Sequence, residues 1–151
     1  MKQMEISFTD SYTLSQTNIS ATRGFTGLYF IFLEETRIMY PFDKLRLIYI
    51  GMSESVQNSI GNRLVSHKSG KSGNLAIMNY AKEHNARFTY LTWNFLKVLG
   101  HDSINDIESY FIIDFVRKYG SQPICNNQSN FDPTGNPLFD MHIDILWGFF
   151  S

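Results

Sequence analysis

The sequence predicts an α/β domain of the α+β kind, a small three-stranded antiparallel sheet flanked by helices, with an added strand near the C-terminus. Three observations lead there. Runs rich in aromatic and β-branched residues at 26–33, 45–51 and 87–94 have strand character. Apolar residues recur at helical spacing after the second and third of these runs. The chain's 151 residues suit one domain with a single sizeable core. Residues 1–24 read as a polar arm, 25–127 as the core and 128–151 as a C-terminal extension.

Taken in order, Thr26 to Leu33 and Leu45 to Gly51 are the first two strands. The segment between them contains Pro41 and Asp43, is too long for a two-residue hairpin, and is expected as an exposed excursion. After Gly51, Ser53 or Ser55 is the candidate cap of a helix whose apolar positions are Val56, Ile60 and Leu64 and which Gly70 stops. A second helix is expected from about Ser72 to His84, then the third strand from Arg87 to Asn94. The strongest helical pattern follows, capped by Asp102 or Ser103 and ended by Gly120. Asp132 to Pro137 is dense in turn residues. Beyond it, Phe139, Met141, Ile143, Ile145 and Trp147 alternate with Asp140, His142 and Asp144, as in a half-exposed strand whose apolar face could meet a second copy. The Asp-x-His-x-Asp run reads as solvated side chains rather than metal ligands.

Composition excludes several classes. With 15% aromatic and 18% charged residues the chain is neither a disordered tail nor a membrane span. The first ten residues lack the apolar core of a secretory signal, so a soluble cytoplasmic protein is expected. The single cysteine, Cys125, excludes an internal disulfide and a cysteine-based zinc site, and reads as a small core hydrophobe. The net charge of -1 argues against a polyanion partner, but its distribution does not. Arg63, Lys68, Lys71, Lys82 and Arg87 against Glu83 make residues 61–87 +4 and leave −5 on the rest.

Two glycine/tyrosine triplets, Gly27-Leu28-Tyr29 and Tyr49-Ile50-Gly51, lie in the first two strands, and Arg63 and His67 stand one helical turn apart on the next helix. Antiparallel pairing would bring phenols, guanidinium and imidazole to one site. Glu108 lies on a stripe with Phe111, Ile112, Phe115 and Tyr119, the inward face by periodicity. A carboxylate there needs a cation, a hydrogen-bond network or a metal.

Together the triplets and the Arg63-x-x-x-His67 element resemble the GIY-YIG nuclease domain over roughly Gly24 to Asn127, with Leu28 in place of the usual Ile. Twelve positions separate Gly51 from Arg63, more than in compact members of that family. The resemblance implies a metal-dependent endonuclease that hydrolyses DNA. It implies Glu108 as ligand of one Mg²⁺ or Mn²⁺, with Asp106 and Asp114 as fallbacks. It also implies Tyr49 as general base with Tyr29 as its companion, roles that can be exchanged. Arg63 and His67 would act on the phosphate, and Asn126, with Asn127 as rival, would anchor a phosphate or a neighbouring side chain. Lys68 and Lys71 are candidate substrate contacts. Gly27 and Gly51 are expected to permit close approach rather than to bind.

Such chemistry needs an activated water, charge stabilisation on the phosphate oxygens and neutralisation of the leaving alkoxide. The expected partner is DNA, with a homodimer or a targeting protein as candidate assemblies and RNA left open as substrate. The competing reading, which the overall acidity favours, is a non-catalytic nucleic-acid-binding or protein-interaction module, for example a phage or defence factor.

Overall fold

A computed structural model describes residues 3–100, 103–127, 136, 138 and 142–151. The elements run β1 (Gln3–Ile6), β2 (Tyr12–Thr13), α1 (Gln16–Ser20), β3 (Gly27–Leu33), β4 (Ile38–Met39), β5 (Lys44–Leu45) and β6 (Leu47–Ser53). They continue with α2 (Ile60–Ser69), α3 (Leu75–Glu83), β7 (Ala86–Thr92), α4 (Trp93–Leu96), α5 (Ile104–Tyr119) and β8 (His142–Ile145). Among the described residues no helix is long and apolar enough to cross a membrane.

The class is mixed α and β with antiparallel sheets, and the main sheet has four strands rather than three, in the order β2-β7-β3-β6. β3 pairs with β6 on one side and β7 on the other, both antiparallel, and is buried along its whole length. The fourth strand comes from the stretch expected to be an arm. Tyr12 and Thr13 pair with Phe88 and Arg87, and Leu14 N–H continues the ladder to Ala86. A two-residue strand carries too little alternation to be read from sequence.

Side chains alternate across the sheet, so β3 serves two cores. Leu28, Phe30 and Phe32 pack with Ile107, Phe111 and Phe115 of α5, and with Phe8, Trp147 and Phe150. Tyr29, Ile31 and Leu33 pack on the opposite face with Ile19 of α1, Ile60 and Leu64 of α2, and Ile77 of α3. The predicted C-terminal strand exists over His142–Ile145, but it pairs parallel with β1 and not with the main sheet. Phe139, Asp140 and Met141 lie outside the described residues, as do Asp102 and the expected turn at 132–137 apart from Asn136. The apolar side of β8, Ile143 and Ile145, is buried in the α5 core, so that side is an internal contact of the chain and not a dimer face. His142 is exposed, and Asp144 pairs with Lys118 at 3.6 Å.

The helices correct two expectations. α2 starts at neither Ser53 nor Ser55. Ser59 is its cap, accepting from Asn62 N–H at 3.3 Å. Ser53 ends β6 and donates to Asn58 O at 2.7 Å, and Ser55 Oγ accepts from Asn58 N–H at 3.2 Å, so the extra residues after Gly51 form a turn. Val56, placed by periodicity on the helix, is exposed in that turn. α5 is capped by Ser103, which accepts from Asp106 N–H at 3.2 Å, and stopped by Gly120 at φ +90.

One buried polar contact fixes the C-terminal segment on α5. Trp147 Nε1–H donates to Asp114 Oδ2 at 2.8 Å, and Lys118 Nζ stands 3.2 Å from the same oxygen. Trp147→Phe keeps an aromatic ring but removes the donor from a buried carboxylate. It should lower stability by about 1–3 kcal/mol in urea unfolding, and an unchanged midpoint would show that Lys118 alone suffices.

Candidate active site

Tyr29 and Tyr49 leave β3 and β6 on the α2 side of the sheet. In the register Tyr29 stands opposite Gly51 and Ile31 opposite Tyr49, with an irregularity that inserts Ile48 before Leu47 meets Phe32. The Tyr29 ring lies across Gly51. A β-carbon at 51 would sit 2.5 Å from Tyr29 Oη and 2.7 Å from Tyr49 Cε2, so the glycine of the second triplet makes room for a phenol. Gly27 has a different task. At φ +142, its missing side chain lets β7 approach, where a β-carbon would strike Leu91 O.

Ile60 and Leu64 anchor α2 in the core, and this turns Arg63 and His67, at i and i+4, towards the tyrosines. Tyr29 Oη lies 2.8 Å from His67 Nε2 and accepts from Arg63 Nε–H at 3.3 Å. The rings close into a cluster: centroids are 6.0 Å apart for Tyr29 and Tyr49, 5.7 Å for Tyr29 and His67, and 5.0 Å for Tyr49 and His67. Tyr29 is fully enclosed and His67 nearly so, while Tyr49 and Arg63 are half-buried.

Glu108 is buried on α5, the layer on the opposite side of the sheet. Its charge nonetheless acts on both Tyr49 and Arg63. Burial, then Glu108, raise the Tyr49 phenol above its ordinary value, against the pull of Arg63. Burial, then Tyr49, raise Tyr29 further. Burial opposes the Arg63 charge, but Tyr29, Tyr49 and Glu108 outweigh it and hold its pKa above the usual value. For His67, burial and then the Arg63 charge push the imidazole down to about 4. Both phenols are therefore protonated and the histidine neutral near pH 7.

An open cleft of about 580 Å³ borders this cluster, lined by Tyr49, Arg63, His67, Ser72, Leu75 and Asn126 among others. Arg63 and His67 also line a smaller hollow of about 200 Å³ with Asn58, Ser66 and Ser72. Asn126 is on the wall, but its amide is engaged: Nδ2–H donates to Ile50 O at 2.9 Å and Oδ1 accepts from Ile50 N–H at 3.0 Å. It caps the free edge of β6 behind Tyr49. Asn127 lines the same cleft and is exposed. Lys71 is exposed next to Ser72, whereas Lys68 lines a separate hollow with Glu34 and Asn85. The Cys125 thiol, pushed up to about 12 by burial, is no nucleophile.

Glu108 offers one hard oxygen donor set, which suits Mg²⁺ or Mn²⁺ completed by water and phosphate oxygens. Among the described residues no group of three or more His, Cys, Asp or Glu could hold a metal. Of the fallbacks, Asp114 is taken by Trp147 and Lys118. Sequence reasoning missed Ser72, which bonds His67 Nδ1 at 2.9 Å, and Asn74, which donates to Cys125 O at 2.8 Å and so ties the far wall of the cleft to α3. The only sequence signal for either is the Gly70-x-Ser72-Gly73 turn.

No family model, curated protein or solved structure matches the chain.

The depressed histidine gives a pH dependence of stability. Folded His67 stays neutral down to about pH 4, while in the unfolded chain it titrates near its ordinary 6.5. In that window the unfolded chain binds the extra proton, so stability is intact above 6.5 and declines as pH falls, approaching a loss of ~3 kcal/mol below pH 4. Urea midpoints of wild type and His67→Gln should therefore converge as pH drops from 7 to 4. A gap independent of pH would show that His67 is not the titrating group.

Proposed function

We propose that this protein is a divalent-metal-dependent endonuclease that hydrolyses DNA phosphodiester bonds at the Tyr29, Tyr49, Arg63 and His67 cluster, with Glu108 of α5 as the cation ligand. One observation carries the reading. The Tyr29 oxygen is bonded by Arg63 and His67 at the edge of a cleft onto which Tyr49 and Arg63 open. The motif resemblance to GIY-YIG nucleases supports it, since the residues that carry the resemblance lie together in space.

Arg63 acts on the phosphate. Its Nε is held by Tyr29, which fixes the plane of the guanidinium and leaves the terminal nitrogens to fork onto non-bridging oxygens. Tyr49 is the general base, because it borders the cleft while Tyr29 is sealed beneath it. Its phenol is raised by burial and by Glu108, so proton removal requires positive charge, and Arg63 is the protein's own source of it. Glu108 would hold the cation, which when bound supplies charge neutralisation at the leaving oxygen. Tyr29 orients Arg63 from below, and His67 in turn holds Tyr29. Asn126 keeps β6 and Tyr49 in place, Asn127 lines the cleft, and Lys71 is an exposed cation beside Ser72 of its wall.

The test is cleavage of supercoiled plasmid by the purified protein with Mg²⁺ or Mn²⁺, beside Tyr49→Phe, Arg63→Ala and Glu108→Ala. Metal-dependent nicking or linearisation should fall by about 100-fold or more in each variant, with DNA binding retained in Tyr49→Phe. Linear product formed directly would indicate two sites acting together. No cleavage of DNA by folded wild type would overturn the proposal and favour a binding module built on the same cleft.

A further inference from the structure

Two large apolar side chains stand in the cleft that Tyr49 and Arg63 border, Leu75 at 57% exposure and Ile124 at 48%. They come from distant parts of the chain, the first residue of α3 and the turn that follows α5. The Asn74 Nδ2–H bond to Cys125 O at 2.8 Å joins those two segments, so the apolar residues flank one hydrogen bond. Both backbones are pinned. Ile124 N–H donates to the buried Tyr40 Oη at 3.0 Å and Cys125 N–H to Ile48 O at 2.8 Å. Asn74 caps α3, its Oδ1 accepting from Ile77 N–H at 3.3 Å. Single exposed apolar residues are ordinary, but two held rigid in one concavity form a binding wall.

The charges of the cleft indicate what that wall meets. Among the described residues that line it, Arg63 alone carries a formal charge near neutral pH, and Lys68 lines a separate hollow. The chain as a whole is at -1. A protein that grips a duplex from outside does so through several Lys and Arg on the phosphates, and one guanidinium is a weak substitute. Apolar burial has to supply the rest of the affinity. In a nucleotide the group that offers apolar surface is the planar base, and stacking and pairing hide it inside a duplex. At about 580 Å³ the cleft lies within the range of about 300–1,000 Å³ typical of pockets that enclose a whole ligand. Its polarity is divided as a nucleotide's is, with Arg63 for the phosphate and the Leu75–Ile124 wall for the base.

We propose that Leu75 and Ile124 form a base subsite, so that the cleft takes a DNA strand that is unpaired at the nucleotide beside the bound phosphate. This rests on the nuclease reading for the identity of the ligand and narrows its substrate to single-stranded, flapped or transiently opened DNA. Negative supercoiling favours local opening of a duplex. A supercoiled plasmid is therefore a substrate, and the same plasmid relaxed is a poor one.

The test is fluorescence anisotropy of a short labelled DNA strand, alone and annealed to its complement, in EDTA so that metal-dependent cleavage does not compete. The single strand should bind wild type about 10-fold tighter than the duplex, and the double variant Leu75→Ser/Ile124→Ser should lose about that factor on the single strand only. Leu75→Met/Ile124→Val, which keeps the wall apolar, should restore it. The salt dependence should be shallow, with a log–log slope of about −0.7 for one phosphate neutralised on a single strand. Equal affinity for the two forms, or a preference that the serine variant leaves unchanged, overturns the base subsite. Both side chains are exposed, so the variants should fold; matching circular dichroism checks this. With Mg²⁺ the same two probes separate the claims. Cutting of strand and duplex alike keeps the nuclease reading and overturns the subsite. Binding through the apolar pair without cutting upholds the subsite and counts against the nuclease reading alone.

Discussion

Everything around the cleft depends on a tyrosine hydroxyl that has been taken wholly out of water. Tyr29 is fully buried, and a buried phenol without partners is costly, so its oxygen has to be met by groups that arrive in fixed positions. Those groups come from one helix, α2, whose register on the sheet is set by Ile60 and Leu64. The requirement runs both ways. The sheet must leave a gap at Gly51 for the ring, and the helix must present Arg63 and His67 at a common height above it. Rigidity of the site follows from satisfying one oxygen rather than from many independent contacts.

The sheet also separates two kinds of chemistry. Its α5 side is apolar and rich in aromatic rings; its α2 side combines apolar packing with the polar cluster. Two carboxylates are buried on α5, Asp114 and Glu108, and the second acts electrostatically on Tyr49 and Arg63. Opposed in sign, Arg63 and Glu108 pull the Tyr49 phenol in contrary directions. Burial raises the proton affinity of Tyr49 first, the two charges carried on different layers then adjust it, and anything that compensates Glu108 tips their balance towards release.

Much of this was legible in the sequence. The three long strands, the stops at Gly70 and Gly120, and the inward stripe of α5 with Glu108 on it followed from periodicity and turn chemistry. So did the facing of the two triplets, because antiparallel pairing of neighbouring strands is the simplest connection. What was not legible depends on pairings between distant residues or on very short elements. β2 is two residues long, β1 and β8 lie at opposite ends of the chain, and the start of α2 was obscured because Ser53, Ser55 and Ser59 are chemically alike as caps. Asn126 is instructive: its type and position are legible, but not that both halves of its amide are used by the Ile50 backbone. Ser72 was invisible because its significance comes only from a loop that folds back onto His67.

The parallel pairing of β1 with β8, which joins Gln3 to His142, has a meaning in chain entropy. Closing a loop that encompasses almost the entire sequence removes more freedom than any other contact in the fold, and parallel ladders repay less per residue than antiparallel ones. The repayment is concentrated beside the junction, where Phe8, Phe30, Trp147, Phe149 and Phe150 meet edge to face and tilted. The aromatic richness of this chain is in that sense an adhesive for its two ends, held on the side of the sheet away from the polar cluster.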